Sequence, residues 1–164
     1  MQHKHHIVFL TGAGISQESG ISTFRDANGL WNNHKIEEVA SPKGFEKNPQ
    51  LVLDFYNARR KQLDEIEPNA AHRLIAQLET KYKVTVITQN IDDLHERAGS
   101  TNVLHLHGEL RKSRSSKNPN LIYDCNQDIK LGDLASDGNQ LRPHIVWFGE
   151  VVTEIEKALA ITQS

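Results

Sequence analysis

"HIVFL", residues 6–10, runs directly into "TGAGIS", residues 11–16, and this junction decides the fold class. The first five residues favour an extended chain, and the glycines that follow end it in a tight turn. Three more runs of the same kind come later: "KVTVIT" (83–88), "NVLHL" (102–106) and "PHIVWF" (143–148). All four are near-continuously apolar rather than alternating, the pattern of strands covered on both faces in a parallel sheet. Helical patterns separate them. "PNAAHRLIAQLETK" (68–81) puts Ala71, Leu74, Ile75 and Leu78 on one face, with Asn69 as N-cap. "NIDDLHERAG" (90–99) puts Ile91, Leu94 and Ala98 on one face and stops at Gly99. The order β, long helical insertion, β, α, β, loop, β, α predicts an α/β chain with right-handed crossovers.

In such a sheet the C-terminal ends of all strands share one edge, where ligands bind. Here those ends carry "TGAGIS", "QNIDD", "HGE" and "GE". The insertion at about 32–68 and the loop at 109–142 exceed simple connections, so together they are expected to form a second, smaller lobe roofing the crevice.

Composition narrows the function class. The 164 residues are 37% hydrophobic and 24% charged with a net charge of −2, which predicts one soluble domain. Nothing in that balance points to a nucleic acid or a membrane as partner. No run is long enough to span a bilayer, and the apolar stretch in "MQHKHHIVFLTGAG" is too short for a secretory signal. A single cysteine, Cys125, excludes an internal disulfide and suits a reducing, cytoplasmic setting. The start, with His3, His5 and His6, reads as a chain tip.

Several stretches carry candidate chemistry, each beside a plainer reading. Gly12 and Gly14 match the first two glycines of a dinucleotide turn, but the third position holds Gln17, which argues against an ordinary dehydrogenase. "TFRDANGLW" (23–31) is either an exposed loop anchored by Phe24 and Trp31 or a flap offering Arg25 to a phosphate. Gln89, Asn90, Ile91 and Asp92 either cap the next helix or recognise a carboxamide and a ribose. His105 and His107 share a face if the strand continues. They are then a zinc pair of a metal hydrolase, lacking a third ligand, or a core histidine followed by a general base. Leu104 and Leu106 flank His105, whereas His107 stands just before Gly108 at the strand end. In "DFYNARRKQLDE" (54–65), Arg60 has Asp64 and Lys61 has Glu65 four residues on. Arg59 lies among Phe55, Tyr56 and Leu63 on the apolar side, either snorkelling to solvent or waiting for an anion beside the Tyr56 hydroxyl.

Taken in order, "GAGIS", "TFRDANGLW", "FYNARR", "TQNIDDLHERAG", "LHLHGEL" and "RPHIVWFGE" resemble a sirtuin of the class III branch of NAD-dependent lysine deacylases, over about residues 7–150. The resemblance implies a Rossmann-like parallel sheet with a small second lobe. It implies that Gly12, Ala13, Gly14, Thr23, Phe24, Arg25 and Trp31 hold NAD. Gln89, Asn90, Ile91 and Asp92 would line the nicotinamide and ribose pocket, and His107 would be the general base. The acyl oxygen would attack the ribose carbon as nicotinamide leaves. His107 would then draw a proton from the ribose hydroxyls, giving free lysine and O-acyl-ADP-ribose. The acyl-lysine peptide would pair with Val146 to Glu150, including Phe148 and Gly149, by strand addition. Tyr56 and Arg59 match the family pair that reads acidic acyl groups, which implies a desuccinylase or demalonylase.

Two departures from that pattern carry expectations. Most sirtuins have two cysteine pairs after the catalytic His-Gly; here Ser113, Ser115, Ser116 and Cys125 stand in that region, so no zinc is expected. Leu121, Ile122, Tyr123, Ile129 and Leu131 are expected to pack in its place. The sequence given stops at Ser164 after "VVTEIEKALAITQS", where a sirtuin would continue into strands gripping the adenosine half of NAD. The sheet is then expected to be incomplete at its C-terminus, with the fourth strand an open edge inviting self-association. An inactive sirtuin-fold fragment binding peptide or ADP-ribose is the alternative to an enzyme.

Overall fold

A computed structural model describes residues 5–21, 30, 31 and 33–163. In chain order the elements are β1 (His6–Thr11), α1 (Ala13–Gln17), β2 (Leu30–Trp31), β3 (His34–Lys35), α2 (Ile36–Val39), α3 (Pro42–Lys47), α4 (Pro49–Asp64), α5 (Ala70–Leu78), β4 (Lys83–Thr88), α6 (Leu94–Arg97), β5 (Val103–His105), β6 (Gly108–Ser115), β7 (Ile122–Asp124), β8 (Leu141–Ile145) and α7 (Ile155–Thr162). They form two compact units. One comprises Met1–Thr23, Ile66–His107 and Val152–Ser164; the other comprises Phe24–Glu65 and Gly108–Val151.

The first unit holds a parallel sheet in the order β1-β4-β5. Register runs from His6 opposite Lys83 to Thr11 opposite Thr88, and from Val86 opposite Val103 to Thr88 opposite His105. The central strand β4 is buried from Val84 to Thr88, which accounts for its continuous apolar pattern. Its side chains alternate between faces. Val84 and Val86 pack with Ile75, Leu78, Phe9 and Val103, whereas Ile87 packs with Ala158, Ile161, Val8 and Leu106. Asn69 caps α5 by accepting from Ala71 N and His72 N, as its position predicts. The buried stripe of α5 is His72 and Ile75; Leu74, expected inside, is 60% exposed. Gly99 takes φ +106° just after α6, the left-handed stop that its position predicts. His6 opens β1 and its Nε2 lies 2.9 Å from Thr85 Oγ1, so it is part of the sheet rather than a chain tip.

The fourth expected strand is not in this sheet. Residues 141–145 form β8, which pairs antiparallel with β6 in the second unit, and the chain leaves the ladder at Val146. Pro143 supplies the reason. A proline has no N–H to donate, so it suits the edge strand that β8 forms, not a continuous parallel ladder. The "GE" after this run therefore does not join the C-terminal edge of the parallel sheet, whose outer strands are β1 and β5 among the described residues.

The second unit, Phe24–Glu65 with Gly108–Val151, differs in its bounds from the stretches 32–68 and 109–142, and residues 66–68 fall in the first unit. Its antiparallel sheet runs β7-β6-β8. Its longest helix, α4, starts with Asn48 accepting from Leu51 N and with Pro49 in the first turn, where a missing N–H costs nothing. It buries Val52, Leu53, Phe55, Tyr56, Arg59, Arg60 and Leu63. The two local ion pairs expected on α4 do not form. Arg60 is buried and donates to Leu110 O, Gln127 O and Asn57 Oδ1. Lys61 pairs with Asp128, and Asp64 pairs with Arg111. Partners brought by residues 110–129 displace the i,i+4 neighbours because they also satisfy backbone carbonyls that would otherwise be buried without a donor.

Where zinc would be expected in most sirtuins, hydrogen bonds organise the chain. Asn57 donates to Ile129 O and accepts from Ile129 N, and Ser115 Oγ donates to Asp137 while accepting from Lys117 N and Asn118 N. Tyr123 Oη lies 2.8 Å from Ser136 Oγ. Ile129 is buried, but Ile122 and Leu131 are exposed, so the expected apolar plug is not what holds this region. Gly108 opens β6 with φ +82°, and a Cβ there would fall on the carbonyl oxygen of His144 across the ladder. Only glycine fits directly after His107.

Candidate functional site

The first unit collects polar groups at the C-terminal ends of β1, β4 and β5. Gly12 follows β1 with φ −150°, extended backbone open to any residue, and a Cβ at 12 or 14 would meet nothing within 4 Å. Neither strain nor packing asks for glycine at these two positions. A glycine inside a helix costs roughly 1 kcal/mol against alanine, so helix propensity does not ask for glycine at 14 in α1 either. Ala13 is exposed beside it.

After β4, Asn90 and Asp92 are buried. Asn90 Nδ2 donates to Gly12 O at 3.1 Å and to Ser16 Oγ at 3.0 Å, and Ser16 Oγ donates to Asp92 Oδ2 at 3.0 Å. This triad ties the glycine turn to the end of β4. Burial pushes the Asp92 carboxyl up, opposed by hydrogen bonds from Leu94 N and Ser16. Ile91 is half-buried beside them.

The two histidines separate cleanly. Strand β5 ends at His105 and His107 lies in the turn that follows, so they do not share a strand face. His105 is buried, with Nδ1 donating to Asn90 O at 2.8 Å and Nε2 facing Glu96 Oε1 at 2.7 Å. Burial alone would raise the Glu96 carboxyl, but the hydrogen bond and charge of His105 hold it low. With both ring nitrogens engaged, His105 has no lone pair for a metal, and the metal-hydrolase reading fails there. Among the described residues no group of three or more His, Cys, Asp or Glu is placed to hold a metal ion. His107 is half-buried, and its Nδ1–H donates to Gln89 O at 2.9 Å. A carbonyl only accepts, so the proton sits on Nδ1 and the Nε2 lone pair is available as a base.

A second histidine pair escaped the sequence reading. His72 and His95 are both buried, with ring centroids 4.8 Å apart. His95 Nε2 lies 3.0 Å from Thr11 Oγ1, while His72 Nε2 and His95 Nδ1 make no hydrogen bond. Burial, then the charge of His72, pushes His95 down to about 4. A histidine depressed in the folded state binds its proton more tightly when unfolded. Its stabilisation is therefore complete above the ordinary value near 6.5 and is lost as pH falls from there toward 4. By pH 5 the loss from His95 is about 2 kcal/mol. Thermal unfolding between pH 7.5 and 4.5 should show this slope, and His95→Gln should flatten it; an unchanged slope would point to other groups.

In the second unit, Tyr56 and Arg59 lie on the buried side of α4. The Arg59 guanidinium carbon is 5.4 Å from the Phe55 ring centroid. Burial lowers Arg59 to about 10, countered by Tyr56, so it stays charged at neutral pH. Burial pushes the Tyr56 phenol well above its ordinary range. Tyr56 accepts from Trp147 Nε1 at 3.0 Å, a partner the sequence reading passed over. Residues 146–150 form a turn beyond β8. Phe148 is exposed and its N donates to Ala40 O, Gly149 takes φ +90°, and Val146 is half-buried. The Glu150 carboxylate accepts from Arg114, Arg142 and Trp147 N. Its side chain is engaged inside the second unit. Thr23, Phe24 and Arg25 lie outside the described residues, and Trp31 falls in β2.

The chain is similar to known proteins over nearly its whole length. The Sir2 family model matches residues 12–163. An NAD-dependent protein deacylase of Helicobacter pylori (strain ATCC 700392 / 26695) is 61% identical over 158 residues, covering 96% of this chain and 69% of that protein. A mutant Sir2 homologue solved with ADP-ribose superposes at a TM-score of 0.86 with 41% identity, over 99% of this chain and 67% of that one. A Sir2 homologue solved with NAD gives 0.83 and 42%, over 99% of this chain and 65% of the other. Because the family match takes in the glycine turn, the Asn90–Ser16–Asp92 triad, His107 and the Tyr56–Arg59 helix at once, the chain belongs to the Sir2 family.

Proposed function

We propose that the chain performs NAD-dependent deacylation of protein lysines with a preference for acidic acyl groups, succinyl and malonyl ahead of acetyl. The observation that carries the preference is Arg59: a charged guanidinium 7% exposed, three residues from the Tyr56 hydroxyl on one helix. A guanidinium meets a carboxylate through paired, charge-assisted hydrogen bonds, so a substrate with a distal carboxylate matches it. NAD, when bound, supplies the ribose carbon that takes the acyl oxygen and the nicotinamide that leaves.

The roles of the chain's own residues follow from their geometry. The bare backbone at Gly12 and Gly14 suits a pyrophosphate. Asn90 and Asp92, held by Ser16, are candidates to orient a ribose and a carboxamide. His107 takes a proton at Nε2 while its Nδ1–H stays on Gln89 O, so the ring keeps its orientation through the transfer.

Mass spectrometry of succinyl-, malonyl- and acetyl-lysine peptides incubated with the chain and NAD tests the reading. Loss of the acidic acyl groups ahead of acetyl, with O-acyl-ADP-ribose formed, is the expected result. Faster loss of acetyl would reject the preference, and binding of ADP-ribose without turnover would favour an inactive binding module.

A further inference from the structure

The tyrosine proposed to read the acyl group is itself mounted on a buried chain of contacts that the family match leaves without a role. An indole N–H can only donate, so its bond to Tyr56 oxygen turns the phenolic hydrogen away from Trp147. Trp147 is 2% exposed and its ring is fixed from several sides. The Arg142 guanidinium carbon sits 3.3 Å from the ring centroid, and Phe45 packs at 5.4 Å between centroids. Arg142 in turn is locked by two bonds to Glu150, at 2.7 and 3.0 Å, and Arg114 reaches the same carboxylate. Glu150 closes the circuit by accepting from Trp147 N at 2.8 Å. Every member belongs to the second unit.

We propose that Trp147, held by the Arg142–Glu150 clamp, is a positioning residue for acyl selectivity. It fixes the Tyr56 hydroxyl as a donor toward the substrate's distal carboxylate. The inference rests on the acidic-acyl reading above. A phenol free to rotate would offer hydrogen or lone pair indifferently, and a lone pair repels a carboxylate. With the indole on its oxygen, the hydroxyl meets the ligand as donor only.

Trp147→Phe keeps an aromatic ring under Arg142 while removing the N–H and shrinking the ring, so melting temperature is measured beside the kinetics. The substitution should raise KM for a succinyl-lysine peptide about 5- to 10-fold, the scale of one lost hydrogen bond, with kcat little changed and a distinctly smaller rise for acetyl-lysine. Tyr56→Phe and the double variant complete a cycle. Because Trp147 acts through the tyrosine, the double variant should bind succinyl-lysine no worse than Tyr56→Phe alone. Additive losses, or equal losses on both peptides, overturn the proposal. A succinyl preference that Arg59→Met abolishes but Trp147→Phe leaves intact overturns it alone. A wild-type chain with no preference overturns the acidic-acyl reading and this inference together.

Discussion

Arg59→Met is expected to lower kcat/KM on a succinyl-lysine peptide by about 100-fold or more and to leave acetyl-lysine within about threefold, because deleting one partner of a buried charge pair costs about 2–5 kcal/mol. The asymmetry is the informative part. Acetyl-lysine has no distal carboxylate, so it never used the guanidinium and loses nothing when the charge goes. Methionine keeps an unbranched, apolar stem in a site lined by Phe55. Folding should therefore be preserved, and melting temperature in the same preparation checks it. Steady-state kinetics with both peptides decide the matter. Parallel losses would mean that Arg59 supports the fold of α4 and does not read the acyl group.

His107→Ala is expected to lower turnover on every acyl peptide by about 10²- to 10⁴-fold, the range for a positioned general base. ADP-ribose affinity should stay within about threefold, since the groups assigned to the cofactor are elsewhere: the Gly12 turn, Asn90 and Asp92. The imidazole is half-buried with a single described hydrogen bond, to Gln89 O, so its loss leaves the sheet intact. Calorimetry of ADP-ribose binding beside a turnover assay separates the two quantities. Turnover within tenfold of the parent would place the base at another residue.

Much of this was readable in the chain. Three of the four apolar runs are parallel strands; the central one, β4, is buried from Val84 to Thr88, whereas β1 and β5 at the edges are mostly half-buried. The Asn69 cap and the Gly99 stop were legible because both are local chemistry. Arg59 was placed on the apolar side of α4 by spacing, and it is buried there. What spacing could not supply is which distant segment arrives. Arg60 looks ready for Asp64, yet residues 110–129 bring carbonyls that claim it. Trp147 looked like one apolar residue among several in "PHIVWF"; its bond to Tyr56 spans 91 positions and has no local signature. Pro143 was the one available warning that this run belonged to an edge strand of another sheet.

The division into units also bears on how the chain comes to be folded. Neither unit is a continuous stretch: the first is gathered from three segments and the second from two. During synthesis β1 emerges well before its neighbour Lys83–Thr88, and α4 waits in the same way for Leu110 and Gln127, whose carbonyls claim Arg60. Loop closure over such separations is entropically slow, and an unpaired strand is exposed in the meantime. The early half of the polypeptide is therefore the part most in need of protection while it is being made.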